Sequence, residues 1–209
     1  MRKLILLLIL VALPASAATV DRIAAIVDRQ VLTVSEVNQM VSLRFFSRAA
    51  GVSEDDFRRQ VLDELIAQAL RFRDVERFGA AEVPKDSIEA RQLEISRRFA
   101  SPAEFAATLV RTELSPEELA ALIKRQLQVE AYIQERFSPQ IFVPTEDIET
   151  YYRDPWSAQR KSRGLAVPPL AEVREEIRTL LKASRLQEEI DKWTTQLRAR
   201  ANVDIYAWR

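Results

Sequence analysis

The chain opens its folded part with an alternation of apolar and polar positions. Residues 18–37 read ATVDRIAAIVDRQVLTVSEV, a pattern that predicts two short strands followed by a helix. From Thr33 the apolar residues recur at helical spacing, and we expect this first helix to run to about Ala49. Gly51 is expected to end it, since glycine tolerates the left-handed conformation that is common after a helix.

Helical spacing dominates the next hundred residues. Several helix starts carry a hydroxyl residue with an acidic residue three positions later, because the hydroxyl caps free N–H groups of the first turn. Two of these starts, at Ser101 and Ser115, are followed by proline at the first helical position. One predicted helix begins at Ser53 and ends at Gly79, and the next begins at Pro84. Three more are predicted over about 102–111, 116–137 and 145–152. Acidic pairs in their first turns complement the helix dipole and are not interpreted as catalytic.

The pattern changes character after residue 153. Residues 154–169 contain a basic cluster, one glycine and three prolines without periodicity, which predicts a linker. The basic cluster consists of Arg160, Lys161 and Arg163. We interpret it as a solvated loop, because one short run of charge is weak evidence for an anionic partner. Helical spacing then resumes at Leu170, with Ser184 as a candidate break, and the chain ends in the strand-like alternation NVDIYAW.

Composition and the N-terminus set the class and the compartment. The 209 residues are 30% charged and 47% hydrophobic with three glycines, which is typical of a helix-rich globular protein. Residues 1–17 resemble an export signal, with two basic residues, an apolar run and the small-residue site Ala-Ser-Ala, and cleavage is expected after Ala17 or Ala18. No later segment is apolar enough to span a bilayer, so we expect no stable membrane insertion.

Missing residue types exclude most familiar enzyme designs. The sequence has no histidine and no cysteine, so a histidine-based triad, a cysteine nucleophile and a thiolate or imidazole zinc site are absent. Its three glycines are scattered, and no glycine-rich loop is available to hold a phosphate or a dinucleotide. Without residues 1–17 the chain carries 29 basic and 31 acidic residues, which gives no general attraction to nucleic acid. We therefore assign no catalytic, cofactor-binding or metal-binding residue and expect a non-enzymatic protein.

The order of these segments resembles the N-terminal chaperone domain of the SurA family of periplasmic proteins. The resemblance covers residues 18–153. It rests on DRIAAIVDRQVLTVSEV as an opening hairpin and helix, on VLDELIAQALRFRDVERFG followed by VPKDSIEARQLEIS, and on SPEELAALIKRQLQVEAYIQERF followed by VPTEDIETYYR. Each motif alone is a hydrophobic pattern with a cap, and their shared order and spacing carry the resemblance.

The sequence departs from that family where the family usually carries parvulin prolyl isomerase domains. Only the predicted linker, residues 154–169, stands at that place, and the histidines of a parvulin site are missing. Residues 170–209 resemble the helices and final strand that follow the last parvulin domain in the family. The resemblance therefore implies a chaperone body without the isomerase.

The resemblance also implies a mainly α fold, a single discontinuous helical domain whose two chain ends meet in a small β-sheet. A lone hairpin is marginal in water and needs a third strand or a packed helix. We expect the strand at Val203–Tyr206 to pair with either Arg22–Val27 or Val31–Val34.

The function implied is that of an ATP-independent periplasmic holdase, which binds extended, aromatic-rich segments of unfolded outer-membrane or secreted proteins. Phe45, Phe46 and Trp156 are the candidate peptide-binding residues, chosen because they are aromatic and lie at helix ends or in the predicted linker. No cofactor and no nucleic acid are expected, and a homodimer is left open.

Two alternatives accompany this hypothesis. The chain could be a non-enzymatic interaction or scaffold protein of the cell envelope, which docks one folded partner or itself. It could also be a prolyl isomerase that no longer looks like a parvulin, and the missing catalytic groups weigh against this.

Overall fold

The two ends of the folded chain meet in one three-stranded antiparallel sheet. The computed structural model describes residues 21–207, so the predicted signal segment lies outside the described residues. The strands are β1 (Ile23–Val27), β2 (Gln30–Thr33) and β3 (Val203–Ile205), in the order β2-β1-β3. Ala25 of the central strand pairs with Leu32 on one side and with Ile205 on the other. The prediction that the C-terminal strand pairs with the hairpin is confirmed.

The first helix, α1 (Val34–Ser42), is shorter than expected. The prediction of an end near Ala49 is wrong, because the chain takes a left-handed turn at Arg44, where φ is 55°. The N–H of Phe45 bonds to the carbonyl of Met40 at 3.1 Å and the N–H of Arg44 to that of Val41 at 3.1 Å, which is a Schellman closure without glycine. Gly51 lies in the loop that follows.

The central helices begin and end near the predicted residues. They are α2 (Glu54–Phe78), α3 (Lys85–Ser96), α4 (Pro102–Arg111) and α5 (Pro116–Arg136). Ser101 and Ser115 cap α4 and α5, each accepting a hydrogen bond from the backbone N–H of a glutamate three positions later. Gly79 follows α2 with a φ of 92°, in agreement with its predicted role. With α1 and the sheet, these helices enclose the main core, whose centre includes Val37, Ile66 and Ile123.

The segment expected to be an irregular linker is helical for more than half of its length. Helix α6 (Thr145–Tyr151) continues through a wider π-helical turn (Tyr152–Trp156) into α7 (Ser157–Ser162). The sequence pattern favours a loop because Pro155 lacks an N–H and would interrupt a regular α-helix, whereas here it sits inside the π-helical turn. The interpretation of the basic cluster as a solvated loop is also wrong for Arg160, which stacks on the Trp156 ring and donates from Nε to the Ala166 carbonyl.

The last helix, α8 (Leu170–Arg200), runs for 31 residues without the break considered at Ser184. Its N-terminal half packs Val173 and Ile177 into a small separate core with Ile148 and Trp156. Its C-terminal half places Trp193 against α2 and α5 and leads directly to β3. The fold is therefore mainly helical, with the small sheet formed as predicted.

Candidate functional site

An open cleft of about 1290 Å³ lies between the hairpin and α1 on one side and helices α2, α3 and α5 on the other. We call it the cleft. Its apolar lining includes Phe45, Phe46, Leu65, Ala69, Phe72 and Leu122. Every described helix that reaches it also contributes charged residues, so an apolar floor is combined with a polar rim.

Helix α2 supplies the floor because it carries two apolar faces. One face, with Leu62, Ile66 and Leu70, is almost fully buried in the main core. Leu65, Ala69 and Phe72 follow one another at spacings of four and three residues, so they share a second face. These three residues line the cleft and are only partly buried. The second face is therefore available to a ligand.

The candidate residues Phe45 and Phe46 are brought to this cleft. The turn at Arg44 directs the chain back along the core, and both rings are half-buried against it while lining the cleft. The Arg98 guanidinium holds the turn by donating to the Arg44 carbonyl at 2.6 Å. Trp156 is not brought to the cleft, because its side chain is 4% exposed in the small core beside α8.

Ion pairs fix the charged rim of the cleft. Arg91 makes a bidentate contact with Glu130, at 3.0 and 2.9 Å. Arg71 pairs with Glu64 at 3.1 Å. The Arg125 guanidinium lies 5.6 Å from the centre of the Phe72 ring. These ion pairs, each with a partly buried arginine, present both signs of charge beside the apolar floor.

Glu36 closes the cleft wall at the start of α1. Its carboxylate accepts from the Thr33 N–H at 2.8 Å, while the Thr33 hydroxyl accepts from the Glu36 N–H, which completes a capping box. Burial raises the pKa of the Glu36 carboxyl above its usual range, and the nearby negative charge of Asp21 acts in the same direction. Because it donates to Glu36, the Thr33 N–H at the end of β2 is not free to bind another strand.

Two glutamines are the polar groups that the sequence reasoning missed. Gln68 and Gln126 line the cleft, and within residues 21–207 neither side chain makes a hydrogen bond to another protein group. An amide can both donate to and accept from a peptide backbone. The available sequence signal was weak: Gln68 stands between Leu65 and Phe72 in the second apolar face of α2.

The geometry of the cleft bears on the kind of ligand that it could hold. A helical body with an open, apolar-floored and mixed-charge cleft suits a polypeptide segment better than a small polar metabolite. In the described range of residues 21–207, no helix has the length and apolar character required to cross a membrane.

Comparisons with known proteins find distant relatives of this chain. No protein-family model matches the chain. It is 23% identical over 143 residues to Chaperone SurA of Saccharophagus degradans, which covers 66% of this chain and 33% of that protein. It is 26% identical over 141 residues to Chaperone SurA of Pseudomonas fluorescens Pf0-1 (66% and 33%) and 28% over 144 residues to that of Pseudomonas syringae pv. tomato (67% and 34%).

The resemblance to the SurA family indicated by the motifs is thereby confirmed, at the level of a distant relationship. The chain spans about a third of the length of these curated relatives. Between α6 and α8 the described chain holds only a π-helical turn, one short helix and a loop, so no parvulin domain is inserted at that position.

Proposed function

We propose that this chain is an ATP-independent holdase of the periplasm, which uses the cleft to bind extended, aromatic-rich segments of unfolded proteins. The observation that carries the proposal is the second apolar face of α2: Leu65 and Phe72 pack against core clusters on one side, but they and Ala69 stay only partly buried and line the cleft. The distant relationship to proteins named Chaperone SurA supports it. By resemblance, the clients are proteins bound for the outer membrane.

The apolar floor sets the strength of such binding. Two aromatic side chains of about 150–250 Å² each, buried at about 25 cal/mol per Å², would contribute roughly 8–12 kcal/mol. Association and ordering of the client oppose this by about 4–15 kcal/mol. Because these two ranges overlap, we expect most of the apolar gain to be cancelled and the net affinity to be modest, which would suit a chaperone that must release its client without ATP.

Side-chain capture is the main mode of binding that we expect. Strand β2 is at the edge of the sheet and borders the cleft, but it has four residues and its Thr33 N–H is taken by Glu36. An added client strand would therefore gain few backbone hydrogen bonds. The free amides of Gln68 and Gln126 can bind the client backbone, while Phe45 and Phe46 contact its side chains.

The proposal is non-enzymatic. With neither histidine nor cysteine in the sequence, a prolyl isomerase of the parvulin type lacks its catalytic groups. A proline-limited refolding reaction should proceed at the same rate with and without the purified chain. An accelerated rate would favour the isomerase alternative.

Suppression of aggregation tests the proposed function. An unfolded outer-membrane protein is diluted from urea without ATP, and light scattering is followed with the chain beginning at residue 19 in several-fold molar excess. We expect scattering to fall with the wild type and to recover with the double variant Phe45→Ser, Phe46→Ser. Phe142→Ser is the matched control, because Phe142 is 74% exposed and lies outside the cleft. No suppression by the wild type would contradict the proposal.

A pull-down separates the holdase from the scaffold alternative. A holdase should retain many unfolded proteins in varying amounts. One folded partner at fixed stoichiometry, with no affinity for unfolded clients, would favour the scaffold.

A further inference from the structure

A second recess, of about 300 Å³, lies where the C-terminal ends of α2 and α5 meet α8. We call it the aromatic recess. Its aromatic lining consists of Phe78, Tyr132, Phe137 and Trp193. None of the residues that line it also lines the cleft. The two are therefore separate sites on the same body.

The aromatic side chains form one ordered cluster. The Trp193 ring lies 5.5 Å from Tyr132 and 5.3 Å from Phe137, measured between ring centres. Its indole Nε1 donates to the Asp74 carboxylate at 3.0 Å, which fixes the ring plane. Phe78 stacks on Tyr132 at 6.4 Å and is 63% exposed, so its outer surface remains open for contact. A ring that binds here would extend the stack.

Some charged side chains around the recess are paired with another group and others are not. Lys192 is paired with Glu189 at 2.7 Å, and Asp74 is occupied by the indole of Trp193. Arg136 and Arg200 also line the recess, and within residues 21–207 neither forms an ion pair. The recess therefore combines an open aromatic surface with two guanidinium groups that lack a carboxylate.

We propose that the aromatic recess binds an aromatic side chain with a neighbouring carboxylate on an extended client segment. The carboxylate would pair with Arg136 or Arg200 while the ring stacks on Phe78. The inference rests on the proposed function, since the occupant is a segment of a client. It adds a second contact point and a charge preference that the mixed-charge cleft does not impose.

A cationic ligand is disfavoured by the same geometry. Aromatic cages hold a cation over their ring faces. In this recess the Arg136 guanidinium already lies 5.7 Å from the centre of Phe78 and 5.8 Å from that of Tyr132. A second cation would be repelled.

Fluorescence anisotropy with short labelled peptides tests the proposal. The probes are three glycine-serine peptides of equal length that contain Phe-Asp, Phe-Lys or Ala-Asp. We expect the Phe-Asp peptide to bind at least about fivefold more tightly than either of the others. Equal affinity for the Phe-Asp and Phe-Lys peptides would overturn the charge preference and with it the proposal.

Variants locate the binding. Phe78→Ala and Arg136→Gln should each weaken the Phe-Asp peptide by about three- to tenfold. Arg136→Glu should reverse the preference towards Phe-Lys. Phe142→Ala is the matched control, because it removes another exposed phenylalanine outside both sites. Unchanged peptide affinity in Phe78→Ala would overturn the proposal.

Three further outcomes can be told apart. Self-association in sedimentation that is lost in Phe78→Ala would show that a second copy occupies the recess, which overturns the proposal. If aggregation suppression is normal but the peptide preference is absent, only the recess proposal fails. If the peptide preference is present but suppression is absent, the proposed function fails instead.

Discussion

The Asp28 carboxylate accepts a hydrogen bond from the backbone N–H of Asn202 at 2.8 Å and so joins the two ends of the folded chain. The Asp28 N–H also donates to the Asn202 carbonyl at 2.8 Å, and its carboxylate pairs with Arg73 of α2. Asp28 has a φ of 54° in the hairpin turn, a conformation that aspartate and asparagine tolerate better than most residues. One side chain thus holds the hairpin, the C-terminus and a cleft-forming helix together.

Replacing this side chain should loosen the closure. Asp28→Ala removes the bond to Asn202 and the contact with Arg73, and we expect the free energy of unfolding to fall by about 1–2 kcal/mol in urea denaturation. Asp28→Asn should lose less, because its amide oxygen can still accept from Asn202 and asparagine tolerates the positive φ. Equal free energies of unfolding for the wild type and Asp28→Ala would contradict a stabilising role of the Asp28 side chain at this junction.

A substitution in the turn after α4 should make the protein more stable. Glu113 has a φ of 53° at the position where a Schellman closure favours glycine, and its side chain makes no ion pair within residues 21–207. Glu113→Gly should raise the free energy of unfolding by about 0.5–1 kcal/mol, since it removes left-handed strain. Glu113→Ala keeps the strain and serves as the control. A loss of stability in Glu113→Gly would contradict this reading of the turn.

Two capping glutamates should respond to pH in opposite directions. Burial raises the pKa of Glu36 above 4.5. The shift therefore adds to the free energy of unfolding below pH 4.5, and this gain is lost as the pH rises through the folded-state pKa of Glu36. Glu36→Gln should therefore gain stability relative to the wild type over that rise. The hydrogen bond from the Ser115 N–H lowers the pKa of Glu118, so Glu118→Gln should lose stability relative to the wild type as pH rises towards 4.5. Urea denaturation at pH values from about 3 to 7, which roughly spans the titration of carboxyl groups, measures both effects. If the stability difference from the wild type changed with pH in the same direction for both variants, the opposite pKa shifts of Glu36 and Glu118 would be contradicted.

Trp156 should behave as a core residue. Its ring is 4% exposed and packs with Ile148 and Ile177, so Trp156→Ala should lower the free energy of unfolding by about 3–5 kcal/mol. The comparison is Phe142→Ala, in which a 74% exposed ring is removed and stability should stay within about 0.5 kcal/mol of the wild type. A small effect of Trp156→Ala would contradict the packing of the small core.

The sequence predicted the sheet because two requirements agreed. The alternation at Val203–Ile205 indicated a strand, and an isolated hairpin needed one. The predicted end of α1 was wrong because glycine is the residue that usually marks a left-handed turn, whereas here the turn falls on Arg44 and is held by Arg98. That contact joins residues far apart in the chain, and local pattern cannot reveal it.

The candidate site was predictable only in part. Phe45 and Phe46 were chosen for their aromatic character near a helix end, and both line the cleft, where their role in binding stays a prediction. Trp156 satisfied the same criterion, but it ends the π-helical turn that contains Pro155 and is buried in the small core. Gln68 and Gln126 were missed because their shared surface exists only once α2 and α5 face the cleft together.

Site-specific crosslinking tests the central claim most directly, and the absence of cysteine allows a single label at a chosen position. A photo-crosslinker is attached to Gln68→Cys in the cleft or to Gln159→Cys, an exposed residue of α7 outside the cleft. With an unfolded outer-membrane protein and no ATP, we predict strong crosslinks from position 68 and few from position 159. Equal yields from both positions, or none from position 68, would contradict client binding in the cleft.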